Sequence, residues 1–312
     1  MAPLLLLNGE DVRALIDLPS LFEPLGHALV ELSRGTTSVP PRTVARAPGG
    51  FLGSMPGYIP GTALEAKLVA VFAGNHERGL PSHQALIALF DEETGMPLCV
   101  MDGTVVTAVR TGATSAVAAR ALARPEVRTL AILGAGVQGR SHLNAFTTMF
   151  DPSEIRIASR NPDHAITLAA ADPRARAETF EEAVRGADVV CCCTDSEEPV
   201  IARDWLSLGA HVSSVGVGAE VDDATVRDAS VFVEWRGAAE NPPPTGSAEL
   251  QGFDPSTLVE IGQVLSGDHS GRRSNDELTL YKSTGHAVED AAAARQVFDR
   301  AVAEGRGQTF EL

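Results

Sequence analysis

Positive charge, cysteine and long apolar runs are all scarce in this sequence, and each shortage excludes a class of protein. Lys and Arg number 25 against 41 Asp and Glu, which gives a net charge of −16. A chain this acidic is a poor partner for nucleic acid or for an anionic membrane, so an anionic ligand needs a local cluster of cations. No apolar run approaches the ~20 residues of a membrane-spanning helix. The run Leu4–Leu7 has no basic residues before it and is too short for a signal peptide, so it predicts a strand in a cytoplasmic protein.

The four cysteines are Cys99 and the consecutive Cys191, Cys192 and Cys193. Adjacent residues on a strand point to opposite faces, so neighbours in the triplet are badly placed for a disulfide. We therefore expect reduced, buried thiols that pack as small apolar side chains, as in a reducing cytoplasm. No metal site is predicted.

The first hundred residues are typical of one helix followed by short strands. Leucines recur at helical spacing at Leu21, Leu25, Leu29 and Leu32. Short apolar segments separated by glycine and proline turns come next, which predicts a mostly antiparallel sheet. An alanine-rich stretch from Thr104 then predicts a helix that ends before Pro125.

From Thr129 to about Val233 the pattern changes to apolar strands alternating with helices, with a short helix predicted in ARDWLSLG. This alternation predicts a parallel sheet covered on both faces, and hence an α/β fold class. ENPPPTGSAELQG is predicted to be a loop. The capping-box pattern of Ser274 and Glu277 predicts one long helix from there to the C-terminal region.

A glycine motif follows the first of these strands and opens a helix. Gly134, Gly136 and Gly139 form G-x-G-x-x-G inside a β-α-β unit, the context of a dinucleotide site. The glycines allow a tight turn, close approach of a pyrophosphate, and packing of helix on strand, while the helix N-terminus attracts the phosphate. The predicted cofactor contacts in this loop are Gly134, Ala135, Gly136, Val137, Gln138 and Gly139. Gln138 is expected to donate to a phosphate.

The end of the next strand indicates which dinucleotide is bound. NAD-specific sites place an acid there to accept from the ribose 2′-hydroxyl. This chain has Ser159, Arg160 and Asn161, starting 25 residues after Gly134. A guanidinium holds a 2′-phosphate well. NADP(H) is therefore favoured, with NAD(H) as the alternative.

Several further segments occur in an order known from one enzyme family. They are PPRT, EAKLVAVFAGN, LPSHQALIALFDEETGMPL, MDGTVVTAVRTGATSAVAAR, LAILGAGVQGRSHL, TDSEEPVI, HVSSVG and GRRSNDELTLYKSTGHAVED. From about Pro40 to the C-terminal helix the chain resembles the ornithine cyclodeaminase/μ-crystallin family.

The resemblance implies a Rossmann dinucleotide-binding domain inserted into an α/β substrate-binding and dimerisation domain. The predicted boundaries are 1–115 plus 280–312 for the outer domain and 116–279 for the Rossmann domain. It also implies a homodimer and a small amino-acid or imino-acid substrate. Members exchange hydride between a nicotinamide and a C=N bond beside a carboxylate.

Three cations stand among apolar or small residues, namely Arg42, Lys67 and Arg110. Burying an unpaired charge among such residues costs free energy, so a buried cation there indicates a ligand. The sequence is equally compatible with exposed charges on the surface of a strand and a helix. The resemblance implies that Arg42 and Lys67 hold the substrate carboxylate and that Arg110 assists beside the cofactor. Because nearby cations lower the pKa of an amine, Lys67 is also a candidate acid–base group.

The resemblance places the remaining candidates around nicotinamide and substrate. Ser82 and His83 are expected near the nicotinamide, although a structural role for His83 is equally compatible with the sequence. Other cofactor contacts are expected at strand ends, at Thr194, Ser214, Val215 and Gly216. Ser283 and Thr284 would contact cofactor and substrate, Gly285 would let the C-terminal helix bend, and His286 would line the site.

The sequence departs from the family in one loop. Cyclodeaminases carry a proline and a catalytic aspartate between the HVSSVG strand and a Glu-Leu-Asp segment, whereas here Gly216 and Glu220 enclose only Val217, Gly218 and Ala219. Cyclodeamination needs a base at this place. We therefore expect a reductase of ketimino acids. The alternatives are a cyclodeaminase with Glu220 or Asp223 as substitute base, and a non-catalytic binder of NADPH and ligand.

Overall fold

A computed structural model describes residues 3–216 and 218–311, and for His76 the backbone alone. The chain divides into a first unit, Met1–Arg110 with His286–Leu312, and a second unit, Thr111–Gly285. Each unit has its own sheet. None of the helices in the described ranges is both long and apolar enough to cross a membrane.

The strands are β1 (Leu4–Leu7), β2 (Thr43–Ala47), β3 (Gly50–Ile59), β4 (Ala63–Val71), β5 (His83–Phe90), β6 (Pro97–Asp102), β7 (Thr129–Leu133), β8 (Glu154–Ala158), β9 (Ala175–Ala177), β10 (Val189–Cys192), β11 (His211–Ser214), β12 (Ser230–Val233), β13 (Val259–Glu260), β14 (Thr279–Lys282) and β15 (Gln308–Phe310). The α-helices are α1 (Gly9–Leu15), α2 (Leu18–Ser33), α3 (Gly103–Leu122), α4 (Val137–Met149), α5 (Pro162–Ala169), α6 (Phe180–Val184), α7 (Asp223–Asp228), α8 (Gly237–Glu240), α9 (Ile261–Leu265) and α10 (Ala287–Glu304). Short 3-10 turns occur at Ala73–Arg78, Arg203–Trp205, Ala248–Leu250 and Pro255–Thr257.

The first unit is a seven-stranded sheet in the order β15-β1-β6-β5-β4-β3-β2. Neighbouring strands are antiparallel except β1 and β6, which are parallel, so the mostly antiparallel prediction is confirmed. Helices α10 and α2 pack together, and α10 covers one face of β3 and β4. The predicted leucine stripe is confirmed in α2, where Leu21, Leu25 and Leu29 are fully buried.

The second unit is an eight-stranded sheet in the order β13-β12-β14-β11-β10-β7-β8-β9. Every pair in it is parallel, which confirms the α/β prediction for this part of the chain. Its strands β10, β11 and β14 are buried along their whole length, as expected for a parallel sheet covered on both faces. The four cysteines are buried and form no disulfide, as predicted.

The prediction of one long helix from Ser274 is wrong. The segment contains the buried strand β14, which pairs with β11 and β12, and the helix begins only at Ala287. The run Leu278–Tyr281 contains the β-branched Thr279 and the aromatic Tyr281, two residue types that are enriched in strands. Gly285 does not bend the helix either. It stands before it, at φ +73°, where the chain turns.

The region ARDWLSLG forms only the 3-10 turn Arg203–Trp205 rather than a helix. Leu206 of this region and Ala210 directly after it are buried in the apolar core of the second unit. The chain therefore turns inward here to fill the core, which a local pattern does not reveal.

Candidate cofactor and substrate sites

The glycine loop after β7 is shaped by contacts that only glycine tolerates. Gly134 has φ +107°, and a Cβ there would lie 2.5 Å from the Cys193 carbonyl oxygen. A Cβ on Gly139 would lie 1.9 Å from the Gly134 carbonyl oxygen. At Gly136, in contrast, a Cβ would meet no atom within 4 Å. The first and third glycines are therefore fixed by packing, and the second leaves open space.

Helix α4 begins beside that space without a side-chain cap. Gly136 is its N-cap residue, so no side chain accepts from the first amides of the helix. Ala135 is half-buried, Val137 is exposed, and the buried Oε1 of Gln138 has no hydrogen-bond partner in the part of the chain described. Uncapped amides and an open backbone fit the pyrophosphate of a dinucleotide.

The end of β8 carries no acidic side chain at the ribose position. The Asn161 side chain caps α5 by accepting from the Asp163 amide at 3.0 Å, so it is used locally. Ser159 is half-buried, whereas Arg160 is exposed and makes no ion pair within the described ranges. Arg160 is thus the one charged group of this predicted trio.

Glu220 ties together the ends of β10 and β11. Its buried carboxylate accepts from the Thr194 amide at 2.6 Å and hydroxyl at 2.7 Å, from the Ser214 hydroxyl at 2.8 Å, and from the Gly216 amide at 2.7 Å. The sequence suggested Glu220 as a substitute base, but its oxygens are occupied by four donors. Of the same loop, Val215 is half-buried and Val217 lies outside the described residues.

Lys282 also binds the end of β11 and the residues that follow it. Its buried ammonium donates to the Ser214 hydroxyl at 2.8 Å and the Gly216 carbonyl at 2.6 Å, and pairs with Glu249. Glu249 also accepts from the Val221 amide at 3.1 Å. Sequence reasoning missed this pair. One signal was available, because Lys67 and Lys282 are the only lysines in the sequence.

Glu234, also missed, fixes the segment that follows β14. From the end of β12 it accepts from the Ser283 hydroxyl, from the Thr284 amide at 2.9 Å and from the Gly285 amide at 3.1 Å. Two of the predicted ligand-contacting residues, Ser283 and Thr284, are thereby held in one conformation.

In the first unit, Lys67 and Arg110 meet two acids of α10. Lys67 Nζ lies 2.5 Å from Asp290 Oδ2. Arg110 donates to Asp290 at 2.9 Å and to Glu289 at 2.7 Å. All four side chains are buried. Glu289 and Asp290 belong to the HAVED segment of the family resemblance but were not among the predicted site residues. They are needed to keep two cations inside the protein.

Burial and charge act in opposite directions on this cluster. Burial, the largest effect, lowers the pKa of Lys67, although the nearby Asp290 opposes it. Burial would raise the pKa of Asp290, but the charges of Arg110 and Lys67 outweigh it and the pKa is lowered. The cluster therefore favours an ionised Asp290 and a lysine that releases its proton more easily than usual.

Sheet register brings Arg42 into line with Lys67. Thr43 pairs with Ser54, and Met55 pairs with Lys67. Extending this register by one residue places Arg42 opposite Met55, two strands from Lys67 and on the same face. Neighbouring strands lie about 4.8 Å apart, so two long side chains can reach one ligand.

The remaining predicted residues have simpler surroundings. His83 begins β5, is exposed, and its Nδ1 lies 3.2 Å from the Ser82 hydroxyl oxygen. His286 is the buried N-cap residue of α10, and its amide donates to Glu289 at 3.1 Å. The individual ligand contacts assigned to these residues stay predictions.

Comparison with known proteins gives a consistent result. A family model described as "Ornithine cyclodeaminase/mu-crystallin family" matches residues 4–305. The chain is 39% identical to the ketimine reductase mu-crystallin of Mus musculus over 94% of this chain and 96% of that protein.

Two solved structures share the fold over almost their full length. A Delta(1)-pyrroline-2-carboxylate reductase of Thermococcus litoralis, in complex with NADH and L-proline, has a TM-score of 0.92 at 33% identity and covers 98% of this chain and 99% of its own. An archaeal alanine dehydrogenase dimer with bound NAD has a TM-score of 0.90 at 29% identity and covers 99% of each chain. The Rossmann-like fold expected from the resemblance is thereby confirmed.

Proposed function

The chain belongs to the ornithine cyclodeaminase/mu-crystallin family, and we propose that it reduces the C=N bond of ketimino acids with NADPH. It is an NAD(P)-dependent oxidoreductase that acts on C–N bonds. The proposed substrates are cyclic imines such as Δ1-pyrroline-2-carboxylate or Δ1-piperideine-2-carboxylate, or a related N-substituted amino acid. A pyrroline-2-carboxylate reductase with bound L-proline is among the similar structures, which supports this substrate class.

The proposal rests on the hydrogen bonds that the Glu220 carboxylate accepts within the protein. Four hydrogen bonds occupy its oxygens, and Asp222 accepts from the Thr225 amide at 3.2 Å as the cap of α7. Glu220 and Asp222 are thus engaged in hydrogen bonds, and Asp223, the other candidate base, is exposed on α7. These positions disfavour a base for the deamination step of a cyclodeaminase. Reduction of an imine requires no such step.

In the proposed reaction the first unit holds the substrate by its carboxylate. Lys67 and Arg110 offer ammonium and guanidinium donors, and Arg42 stands in register with Lys67. A substrate carboxylate would take over hydrogen bonds that Asp290 and Glu289 now accept. A nicotinamide cofactor, when bound, would be the source of the hydride for the imine carbon. Lys67, whose pKa is lowered by burial, supplies the proton to the imine nitrogen.

In the second unit the glycine loop, Thr194, Ser214 and Gly216 would hold the cofactor. Arg160 supports NADP(H) over NAD(H), because an exposed guanidinium without an ion-pair partner in the described chain can bind a 2′-phosphate. The similar structures contain NADH or NAD, so NAD(H) is the alternative cofactor.

We also propose a homodimer that buries the outer face of the first sheet. Leu52, Leu68 and Leu86 lie on adjacent strands of this face and are 46%, 44% and 55% exposed. Leu68 and Leu86 are direct cross-strand neighbours. A contiguous apolar face of this kind is typical of a subunit interface, and a similar structure is a dimer.

The test is to mix the purified protein with NADPH and each of the two cyclic imines and to follow the absorbance of the reduced nicotinamide. We expect oxidation that is lost in Lys67→Ala and kept in Arg46→Ala, which removes an exposed cation from β2. NADPH that binds but is never consumed, with cyclic and open-chain imines alike, would refute the reductase and favour a binding protein. Release of ammonia from ornithine or lysine would favour the lyase.

A further inference from the structure

Glu65 is a buried acid to which the proposed reaction has so far given no role. It is 2% exposed, on β4, and neither carboxyl oxygen has a hydrogen-bond partner in the described part of the chain. A buried polar group without partners lowers stability, so its presence calls for a functional explanation.

The fold makes room for this carboxyl group. Glu65 pairs with Gly57 of β3, and a Cβ on Gly57 would lie 3.2 Å from Glu65 Oε1 and 3.1 Å from the Ala287 Cβ. A larger residue at Gly57 would press on the carboxyl group. Glu65 and Lys67 alternate onto the same buried face of β4, beneath α10.

The charges around Glu65 favour its neutral form. The charged or titratable groups on the elements that surround it are Lys67, Arg110, His286, Glu289 and Asp290. The two cations are matched by the two carboxylates, so an ionised Glu65 would add an unbalanced buried charge. Burial first, and Asp290 second, raise the pKa of Glu65 well above its usual value.

We propose that Glu65 is the proton store of this site, a neutral carboxylic acid that returns to Lys67 the proton that Lys67 gives to the imine nitrogen. The inference rests on the proposed reductase function and deepens it. Residues two apart on a strand lie about 6.6 Å apart along it, and both side chains are long enough to meet when Lys67 leaves Asp290. Glu65 thus acts on the reaction through Lys67, by keeping a proton within reach of that side chain.

The step balances in atoms and charge. The imine carbon gains a hydride from the reduced nicotinamide, and the imine nitrogen gains a proton as one Lys67 N–H bond breaks. The Glu65 O–H bond then breaks and restores the Lys67 ammonium. The products are an amine, an oxidised nicotinamide with one more positive charge, and a Glu65 carboxylate with one more negative charge. Solvent reprotonates Glu65 after product release.

The first test compares Glu65→Gln with Glu93→Gln, an exposed carboxylate in the turn between β5 and β6. We expect kcat for imine reduction to fall about 100-fold in Glu65→Gln, with KM and NADPH affinity within about twofold of the parent protein. The parent should lose kcat as pH rises through the Glu65 pKa, because the store must be protonated, and Glu65→Gln should lack this loss. An unchanged kcat and pH profile, or a change in KM alone, would overturn the proposal.

The second test needs neither cofactor nor turnover. Lysine labelled with ¹⁵N at Nζ gives side-chain signals from Lys67 and Lys282 alone, since the sequence has only these two. In the parent protein the Lys67 signal should shift at the pH where Glu65 ionises, and this inflection should vanish in Glu65→Gln but not in Glu93→Gln. Superimposable titration curves would overturn the proton store. If the parent protein reduces no imine yet shows the inflection, the proposed function fails while the coupling of Glu65 to Lys67 stands.

Discussion

At the scale of single residues, Arg160 is the group that distinguishes the two dinucleotides. We expect Arg160→Ala to weaken NADPH binding about 10-fold or more, because a charge-assisted contact to the 2′-phosphate is lost. NADH binding should stay within about twofold, since NADH has no such phosphate. Titration of nicotinamide fluorescence measures both affinities. Equal weakening of the two would show that Arg160 does not read the phosphate.

Glu220 provides a second test at this scale. Glu220→Gln keeps the size of the side chain but removes its charge and replaces one of the two oxygens that accept from four donors. We therefore expect a loss of about 3 kcal/mol in unfolding free energy and weaker cofactor binding. Urea unfolding followed by tryptophan fluorescence reports it, because Trp205 and Trp235 both belong to the second unit.

The matched control for Glu220 is Asp223→Asn, the other acid that the sequence offered as a substitute base. Asp223 is exposed on α7, so its replacement should leave stability and cofactor affinity unchanged. If Glu220→Gln were equally silent, the hydrogen bonds to Thr194, Ser214 and Gly216 would not be what holds these strand ends.

These residues show what a sequence can and cannot predict about a site. The glycines were identifiable because their spacing expresses a local geometry between a strand and a helix. Glu220 was identified as a candidate base, but its structural role was not predictable, since its donor Thr194 lies 26 residues away. Lys282 was missed altogether, and it meets Gly216 across 66 residues. Such partners depend on which strands become neighbours. The scarcity of lysine was the one compositional hint that Lys282 is internal.

At the scale of elements, the outer face of β3, β4 and β5 carries the proposed interface. Leu68→Asp combined with Leu86→Asp should weaken self-association about 100-fold or more, because each dimer loses these apolar contacts twice and buries charge instead. Light scattering over a concentration series measures it. Ile166→Asp, on the exposed side of α5, is the control and should leave the mass unchanged. A parent protein that remains monomeric throughout would refute the dimer.

Helices and strands with a clear hydrophobic periodicity were predictable from the sequence. Elements whose structure depends on pairing with strands far away in the sequence were not. The leucine stripe of α2 and the alternating strands β3 to β5 follow from local patterns. Strand β14 does not, because four residues between two polar segments fit either a helix or a strand. Its neighbours β11 and β12 settle the matter by pairing with it on both sides.

At the scale of the whole molecule, acid should destabilise the protein first through the second unit. Burial lowers the pKa of His142 to about 4 and of His211 to about 3. Once unfolded, each imidazole titrates near the ordinary value of 6.5. Between about pH 6.5 and 4 the unfolded chain therefore binds more protons, and stability falls as pH falls. For Glu277, burial would raise the pKa, but hydrogen bonds from Arg273 and Ser230 outweigh it and lower the pKa to about 2. Its contribution to stability is therefore lost only at lower pH.

Each buried histidine should contribute a slope of about 1.4 kcal/mol per pH unit in that range. Urea unfolding at pH values from 6.5 down to 5, read by tryptophan fluorescence, should give a slope to which both histidines contribute and which Glu65 opposes, because Glu65, whose pKa is raised by burial, releases its proton on unfolding. His142→Asn should lower the slope by about 1.4 kcal/mol per pH unit whatever it does to the absolute stability, because one imidazole fewer is protonated on unfolding. His164→Asn, at an exposed position of α5, should leave the slope intact. A slope that survives His142→Asn unchanged would mean that His142 is not kept neutral by the fold.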